Sequence, residues 1–352
     1  MNVRVRQSNI ELLRIFAIIG VIILHYNNKD IGGGFNFVQK YGFNYYTLMV
    51  LESINICAVN LFMLISGYFS CNNKKTKFQK PFKLLLQTIL FSLSWNVLSC
   101  ILNRKLSIES IIVGIIPSNY FIILYIVVYI VSPYLNVLRD KVDTKFITIV
   151  FLLFSVEPTV VDVFTQITNK EWLGLSNIGM YGSQWGYQII NFILMYYIGM
   201  YLKDNIDHHI LKQSKLIYKL IGVISLITLW SCISDSLGLS RNIAWSYCNP
   251  LVIIESILIF LIFNKINIGT IKWINRLSSA SLTIYLFHGY LISHVKISWA
   301  VSQNVIILLI HIILSAFVIY LLGFIVHLIF EYIYSIVFGK FEKKNILLTE
   351  VK

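Results

Sequence analysis

Long apolar runs alternate with short polar segments along the whole chain. A helix needs about 20 mainly apolar residues to cross a hydrocarbon core about 30 Å thick, because each residue adds about 1.5 Å. Such runs predict membrane-spanning helices at residues 10–27, 45–70, 84–102, 119–138, 146–165, 186–202, 216–234, 250–264, 282–298 and 305–330. The pattern therefore predicts an all-α integral membrane protein with about ten transmembrane helices, in a single membrane-embedded domain over residues 1–352.

The composition indicates the same class of protein. Of the 352 residues, 57% are hydrophobic and 13% are charged, and the mean hydropathy is +0.74. Soluble domains carry about 25% charged residues. The first predicted span lacks a small-residue cleavage site, so we expect it to be retained as a helix rather than removed as a signal peptide.

Lysines and arginines are divided unevenly between the two sides of the predicted helix array. With the N-terminus placed in the cytoplasm, twenty of the 29 fall in cytoplasmic segments and six on the opposite side. Positive residues in short loops stay cytoplasmic, so we expect both termini in the cytoplasm. This asymmetry and attraction to anionic lipid headgroups account for the net charge of +13. We predict the lipid bilayer, and no nucleic acid, as the partner of these charges.

The first predicted span carries two ionisable residues, Arg14 and His25. Each costs about 2.5–3.5 kcal/mol in hydrocarbon, so such residues usually face a polar interior. Their spacing of eleven residues places them within about 20° on one helix face and about 16 Å apart along the axis. An arginine near the cytoplasm suits phosphate groups, and a deeper histidine can act as a general base or a nucleophile. Alternatively, Arg14 snorkels to the inner interface and His25 caps the outer helix end.

Five segments in chain order resemble the acyltransferase 3 family of bacterial membrane acyltransferases. They are the Arg14-x10-His25 pair with I-E-L-L-R-I-F-A at 10–17, V-N-L-F-M-L-I-S-G-Y at 59–68, Phe121-x3-Tyr125-x3-Tyr129-x3-Pro133, Y-I-G-M-Y-L at 197–202 and S-S-A-S-L-T-I-Y-L-F-H at 278–288. The resemblance covers nearly the whole chain. It differs in an aromatic position that is often tryptophan in the family and is Tyr120 here.

The resemblance implies a function. Members transfer an acyl group from cytoplasmic acyl-coenzyme A, most often acetyl-coenzyme A, to a hydroxyl of a surface or lipid-linked polysaccharide such as capsule, exopolysaccharide or O-antigen. The chain is then expected in the bacterial cytoplasmic (plasma) membrane as a multi-pass protein. His25 and Arg14 become the catalytic candidates, with Arg14 also a candidate for binding the donor phosphates.

Two further pairs of residues are candidates for the same site. The family's arginine-rich stretch after the second helix is lysine-rich here, and Lys77 and Lys80 are candidates for donor phosphate binding. The alternative is that these lysines only set the topology. His288, in I-Y-L-F-H, and Glu255 are secondary candidates for the cavity, because an ionisable group at that depth is costly. Each can instead be an interior polar residue bonded to a neighbouring helix.

Other functions remain open at this stage. The buried charges can line the path of a glycan transporter or exporter that performs no acyl transfer. An acyltransferase can also use a succinyl donor, or a lipid or small-molecule acceptor. The five cysteines contain no C-x-x-C pair, and we predict neither a metal site nor a tightly bound cofactor.

Overall fold

The structure is a computed structural model that describes residues 6–102, 108–116, 119–170, 172, 174, 184–206 and 212–350. Across these residues it consists of helices and connecting turns, without a β-strand. In chain order the α-helices are α1 (Ser8–Asn27), α2 (Gly34–Phe37), α3 (Phe43–Asn55), α4 (Ala58–Ser70), α5 (Gln79–Leu102), α6 (Ile108–Ile115), α7 (Tyr120–Leu135), α8 (Thr144–Phe151), α9 (Glu157–Thr168), α10 (Ile189–Asn205), α11 (Gln213–Ser236), α12 (Pro250–Lys265), α13 (Lys272–Ser279), α14 (Ser281–Ile292), α15 (Ile297–Val301) and α16 (Val305–Glu350).

The predicted all-α membrane architecture is confirmed. Within the described part of the chain, seven helical stretches are long and apolar enough to cross a membrane: Ser8–Asn27, Phe43–Ser70, Gln79–Ile101, Tyr120–Lys141, Thr144–Thr168, Gln213–Ser236 and Val305–Phe338. Each of them overlaps a predicted span. The chain is therefore a multi-pass membrane protein.

Three predicted spans form helices that are shorter than a typical crossing of about 20 residues. They are α10 with 17 residues, α12 with 16 and α14 with 12. The predicted span 282–298 is too long, because α14 ends at Ile292 and the chain turns before α15 begins. The turn carries Ser293, His294 and Lys296, a polar signal that the predicted span passed over because apolar residues lie on both sides of it. The number of ten crossings and the cytoplasmic placement of the termini stay predictions.

Helices α4 and α10 pack against each other at two glycines. A Cβ atom on Gly67 would lie 2.0 Å from the Tyr196 carbonyl oxygen, and one on Gly199 would lie 2.1 Å from the Leu64 carbonyl oxygen. Both contacts are with backbone, which cannot move aside. Each position therefore requires glycine, and each lies in a segment that carried the family resemblance.

Helix α1 lies at the centre of the helix array. It packs against α3, α4, α12, α13, α14 and α16, and Ile10, Leu13 and Ile18 along it are fully buried. We call the side at which α1 begins the inner face and the side toward which it ends the outer face. At the inner face, Ser8 Oγ donates to Asn275 Oδ1 at 2.9 Å and accepts from the Ile271 N–H at 2.7 Å, which joins α1 to α13.

Candidate functional site

A cavity of about 290 Å³ lies in the inner half of the helix array, and we call it the inner cavity. Side chains from α1, α4, α5, α7, α13 and α14 line it. Its charged lining residues among those described are Arg6, Glu11, Arg14 and Lys80. Three of these four are cations, so the cavity favours an anionic ligand.

Arg14 lines the inner cavity rather than facing lipid. Its Nη1 donates to Glu11 Oε1 at 2.7 Å, and its guanidinium carbon lies 5.9 Å from the centre of the Phe69 ring. Glu11 in turn accepts a hydrogen bond from Ser278 Oγ on α13. These contacts fix the guanidinium, while 31% of the Arg14 side chain remains exposed and can reach a ligand.

Lys80 and Lys77 lie in different surroundings. Lys80 lines the inner cavity, and its Nζ donates to Tyr125 Oη at 3.0 Å and lies 4.6 Å from the Tyr129 ring centre. Lys77 and Lys80 are both exposed to solvent, but Lys77 is not among the residues that line this cavity. The structure therefore places Lys80 in the same cavity lining as Arg14 and leaves Lys77 outside it.

His25 and His288 lie against each other, although they are distant in sequence. Their rings stack with centroids 4.6 Å apart and an angle of 15° between planes, and His25 Nδ1 is in hydrogen-bond contact with His288 Nε2. His288 Nδ1 lies 3.2 Å from the Ile284 carbonyl oxygen, one turn earlier in α14. His288 is buried and His25 is half-buried.

These two contacts determine the tautomer of each neutral ring. A carbonyl oxygen only accepts, so His288 Nδ1 carries the proton that it donates to Ile284. His288 Nε2 is then the acceptor, and His25 Nδ1 is the donor in the contact between the rings. No described residue forms a hydrogen bond with His25 Nε2, so its lone pair is available, which is what a general base or a nucleophile needs.

An aromatic layer separates the inner cavity from the histidine pair. The cavity ends at Phe62, Phe121 and Tyr285. The Tyr285 ring centre lies 4.7 Å from that of Phe121 and 5.7 Å from that of His288. The two histidines are therefore one ring beyond the cavity end, and a group that reaches His25 from the inner face must pass this layer.

Glu255 is not among the residues that line the inner cavity, and it is not the ion-pair partner of Arg14. It is fully buried in α12 beside the Cys57 thiol, at the break between α3 and α4. Among the described residues, neither of its carboxyl oxygens has a hydrogen-bond partner of ordinary geometry. Arg14 is paired with Glu11 instead.

Sequence reasoning missed three residues of the site: Glu11, Tyr125 and Tyr285. All three lie inside segments that resemble the acyltransferase 3 family, so a signal existed for them. Glu11 and Arg14 also have the i, i+3 spacing of a helical ion pair. No group of three or more His, Cys, Asp or Glu side chains across the described ranges is arranged to hold a metal ion.

Comparison with known proteins gives one match. The sequence model of the acyltransferase 3 family, described as an acyltransferase domain, matches residues 7–336. That range contains every candidate site residue named above. No curated protein and no solved structure matches the chain.

Proposed function

Because the chain belongs to the acyltransferase 3 family and is a membrane acyltransferase, we propose that it transfers an acetyl group from cytoplasmic acetyl-coenzyme A to a hydroxyl of a cell-envelope polysaccharide. The acceptor would be a capsule, an exopolysaccharide or an O-antigen, and the location the bacterial cytoplasmic membrane. One observation supports the proposal most: a cationic cavity ends one ring away from a histidine whose Nε2 lone pair is free.

The inner cavity suits the phosphate-bearing part of the donor. Arg14 and Lys80 present a guanidinium and an ammonium to its interior, and charge-assisted hydrogen bonds to phosphate are roughly twice as strong as neutral ones. Glu11 holds the guanidinium in place by one nitrogen and leaves the others for the ligand. The narrow pantetheine arm then points along α1 toward His25, about 16 Å from Arg14 along the axis.

His25 performs the proton transfer in this proposal. Its Nε2 takes the proton of the acceptor hydroxyl while the hydroxyl oxygen attacks the thioester carbonyl carbon. The tetrahedral intermediate collapses, the carbon–sulfur bond breaks, and the protonated His25 returns the proton to the departing thiolate. The products are the ester and free coenzyme A, so atoms and charge balance.

His288 is a positioning residue. It accepts the hydrogen bond from His25 Nδ1, which holds the ring and keeps the proton off Nε2. It also disperses the positive charge that His25 gains when it takes the acceptor proton. Its own orientation comes from the Ile284 carbonyl on the same helix.

The test is transfer of labelled acetyl groups by membranes that contain the protein. The acceptor is extracellular polysaccharide from the strain that carries the gene, and ester-linked label in the polysaccharide is counted. Removal of a general base costs about 10²–10⁴-fold in rate, so His25→Ala should lower kcat by that factor.

His294→Ala is the matched control. His294 is exposed, and its ring nitrogen contacts Ser293 and the Tyr290 carbonyl on its own helix and turn. It should transfer acetyl groups at the wild-type rate. If His25→Ala also transfers at that rate, or if the wild-type protein esterifies no polysaccharide, the proposed function is wrong.

A further inference from the structure

Four tyrosines from separate parts of the chain meet between the end of the inner cavity and the outer face of the helix array. Tyr120 begins α7, Tyr187 precedes α10, Tyr247 precedes α12 and Tyr285 lies in α14. We call them the outer tyrosine cluster. The Tyr187 ring centre lies 4.6 Å from that of Tyr120 and 5.0 Å from that of Tyr247, and both pairs are edge-to-face. The Tyr285 side chain interacts with that of Tyr120.

The cluster connects the surface to the histidine pair. Tyr187 is 44% exposed, whereas Tyr247 and Tyr285 are buried. The Tyr285 ring reaches His288, with centroids 5.7 Å apart, and His288 stacks on His25. A continuous series of rings therefore leads from an exposed tyrosine of an outer loop to the proposed base.

The loops that carry the cluster are held by specific backbone contacts. The Tyr247 N–H donates to the Trp185 carbonyl at 2.9 Å, and Asn60 Nδ2 donates to the Tyr247 carbonyl at 2.8 Å. Gly186 has a φ of +77° and approaches the Cys248 nitrogen so closely that a Cβ would lie 2.6 Å from it. The arrangement is thus preorganised.

The chemistry of the cluster suits a carbohydrate. Phenol rings offer apolar faces to the C–H faces of a sugar, and their hydroxyls both donate and accept hydrogen bonds to sugar hydroxyls. The four members carry no formal charge among them, in contrast to the cationic inner cavity. Sites for small molecules commonly combine aromatic side chains with a few polar groups.

We propose that the outer tyrosine cluster binds the sugar acceptor and leads its hydroxyl from the outer face to His25. This inference rests on the proposed function and adds the entry side and the binding residues of the acceptor. The donor then enters from the inner face and the acceptor from the outer face, and they meet at the histidine pair.

The proposal is tested by chemical modification of the outer tyrosine cluster in the folded protein. Tyr187→Cys is placed in right-side-out membrane vesicles loaded with labelled acetyl-coenzyme A, and extracellular polysaccharide of the strain that carries the gene is added outside. Transfer is measured before and after treatment with a bulky maleimide that does not cross membranes. Modification should lower transfer about ten-fold or more, because the attached group then occupies the place where the acceptor must bind, and loss of a central binding contact costs about that factor.

Tyr46→Cys is the matched control. Tyr46 is 42% exposed, lies in the first turn of α3 at the same face, and is outside the cluster. Its modification should leave transfer unchanged, as should treatment of the wild-type protein. Unchanged transfer after modification of Tyr187→Cys overturns this inference alone. Absence of transfer by the untreated wild-type protein overturns the proposed function and this inference with it.

Discussion

The two ends of α1 present their ionisable residues in opposite surroundings. Near the inner face, Arg14 is part of a charged group with Glu11 and lines a cavity that also contains Lys80. Near the outer face, His25 contacts a second neutral ring, His288, next to an aromatic layer. The helical repeat places Arg14 and His25 on one face of α1, but the residues around each side chain determine its chemistry. Charge at one end suits ligand binding, and a fixed neutral imidazole at the other suits proton transfer.

The largest effect after loss of His25 itself is expected at His288. His288→Ala removes the acceptor for His25 Nδ1, so the ring loses its fixed tautomer and orientation. For histidines that bind metals, loss of such a supporting contact costs about 10–100-fold in activity, and we expect a comparable effect for His25. We expect kcat to fall by that factor with an unchanged KM for acetyl-coenzyme A, measured by labelled transfer.

The conservative variant separates positioning from packing. His288→Gln keeps a side-chain oxygen that can accept from His25 Nδ1, so it should recover part of the lost kcat. Equal loss of kcat in the alanine and glutamine variants, with a normally folded protein, would show that the hydrogen bond has no role.

Replacement of Arg14 should weaken the binding of the donor and leave the rate of the chemical step unchanged. A hydrogen bond to a charged group contributes about 1.5–3 kcal/mol, so Arg14→Ala should raise the KM for acetyl-coenzyme A about 10–100-fold with little change in kcat. Arg14→Lys keeps the charge without the planar fork and should raise KM less. Arg276→Ala, which removes an exposed arginine outside the cavity, should leave KM unchanged. A fall in kcat alone in Arg14→Ala would reverse the roles assigned to the two ends.

The smallest expected effect is a difference in the KM for the donor between variants of two neighbouring lysines at the inner face. Lys80→Met should raise the KM for the donor by about 3–10-fold, because one ammonium contact is lost from the cavity. Lys77→Met should have no effect on KM, since Lys77 lies outside it. Both variants are assayed at low and at high salt. Salt screens the attraction between solvent-exposed charges more strongly than the attraction between charges inside a cavity. Equal KM values in the two variants would contradict the placement of the donor phosphates.

The sequence alone allowed prediction of most of the fold, but of the site only in part. Hydropathy located the helices because lipid requires long apolar runs. The predicted span passed the end of α14 because the polar turn with Ser293, His294 and Lys296 is short and has apolar residues on both sides. Helix periodicity placed Arg14 and His25 on one face. It could not show that His288 meets His25, since tertiary packing brings together residues 263 positions apart.

Two further cases show where sequence reasoning ends. Lys77 and Lys80 look equivalent in composition, and only the start of α5 at Gln79 separates a loop lysine from one on the helix. Tyr187 lies in no motif, and nothing in the sequence indicates that three other tyrosines surround it. Residues such as Tyr187 can be assigned to a site only from the three-dimensional arrangement of the helices.

A structure of the protein with a bound acetyl-coenzyme A analogue, in which a non-hydrolysable linkage replaces the thioester, tests the central claim most directly. We expect donor phosphate oxygens within about 3 Å of Arg14 and Lys80, and the acyl carbonyl carbon beside His25 Nε2. An analogue whose acyl end lies away from His25, with its phosphates outside the inner cavity, would contradict the account.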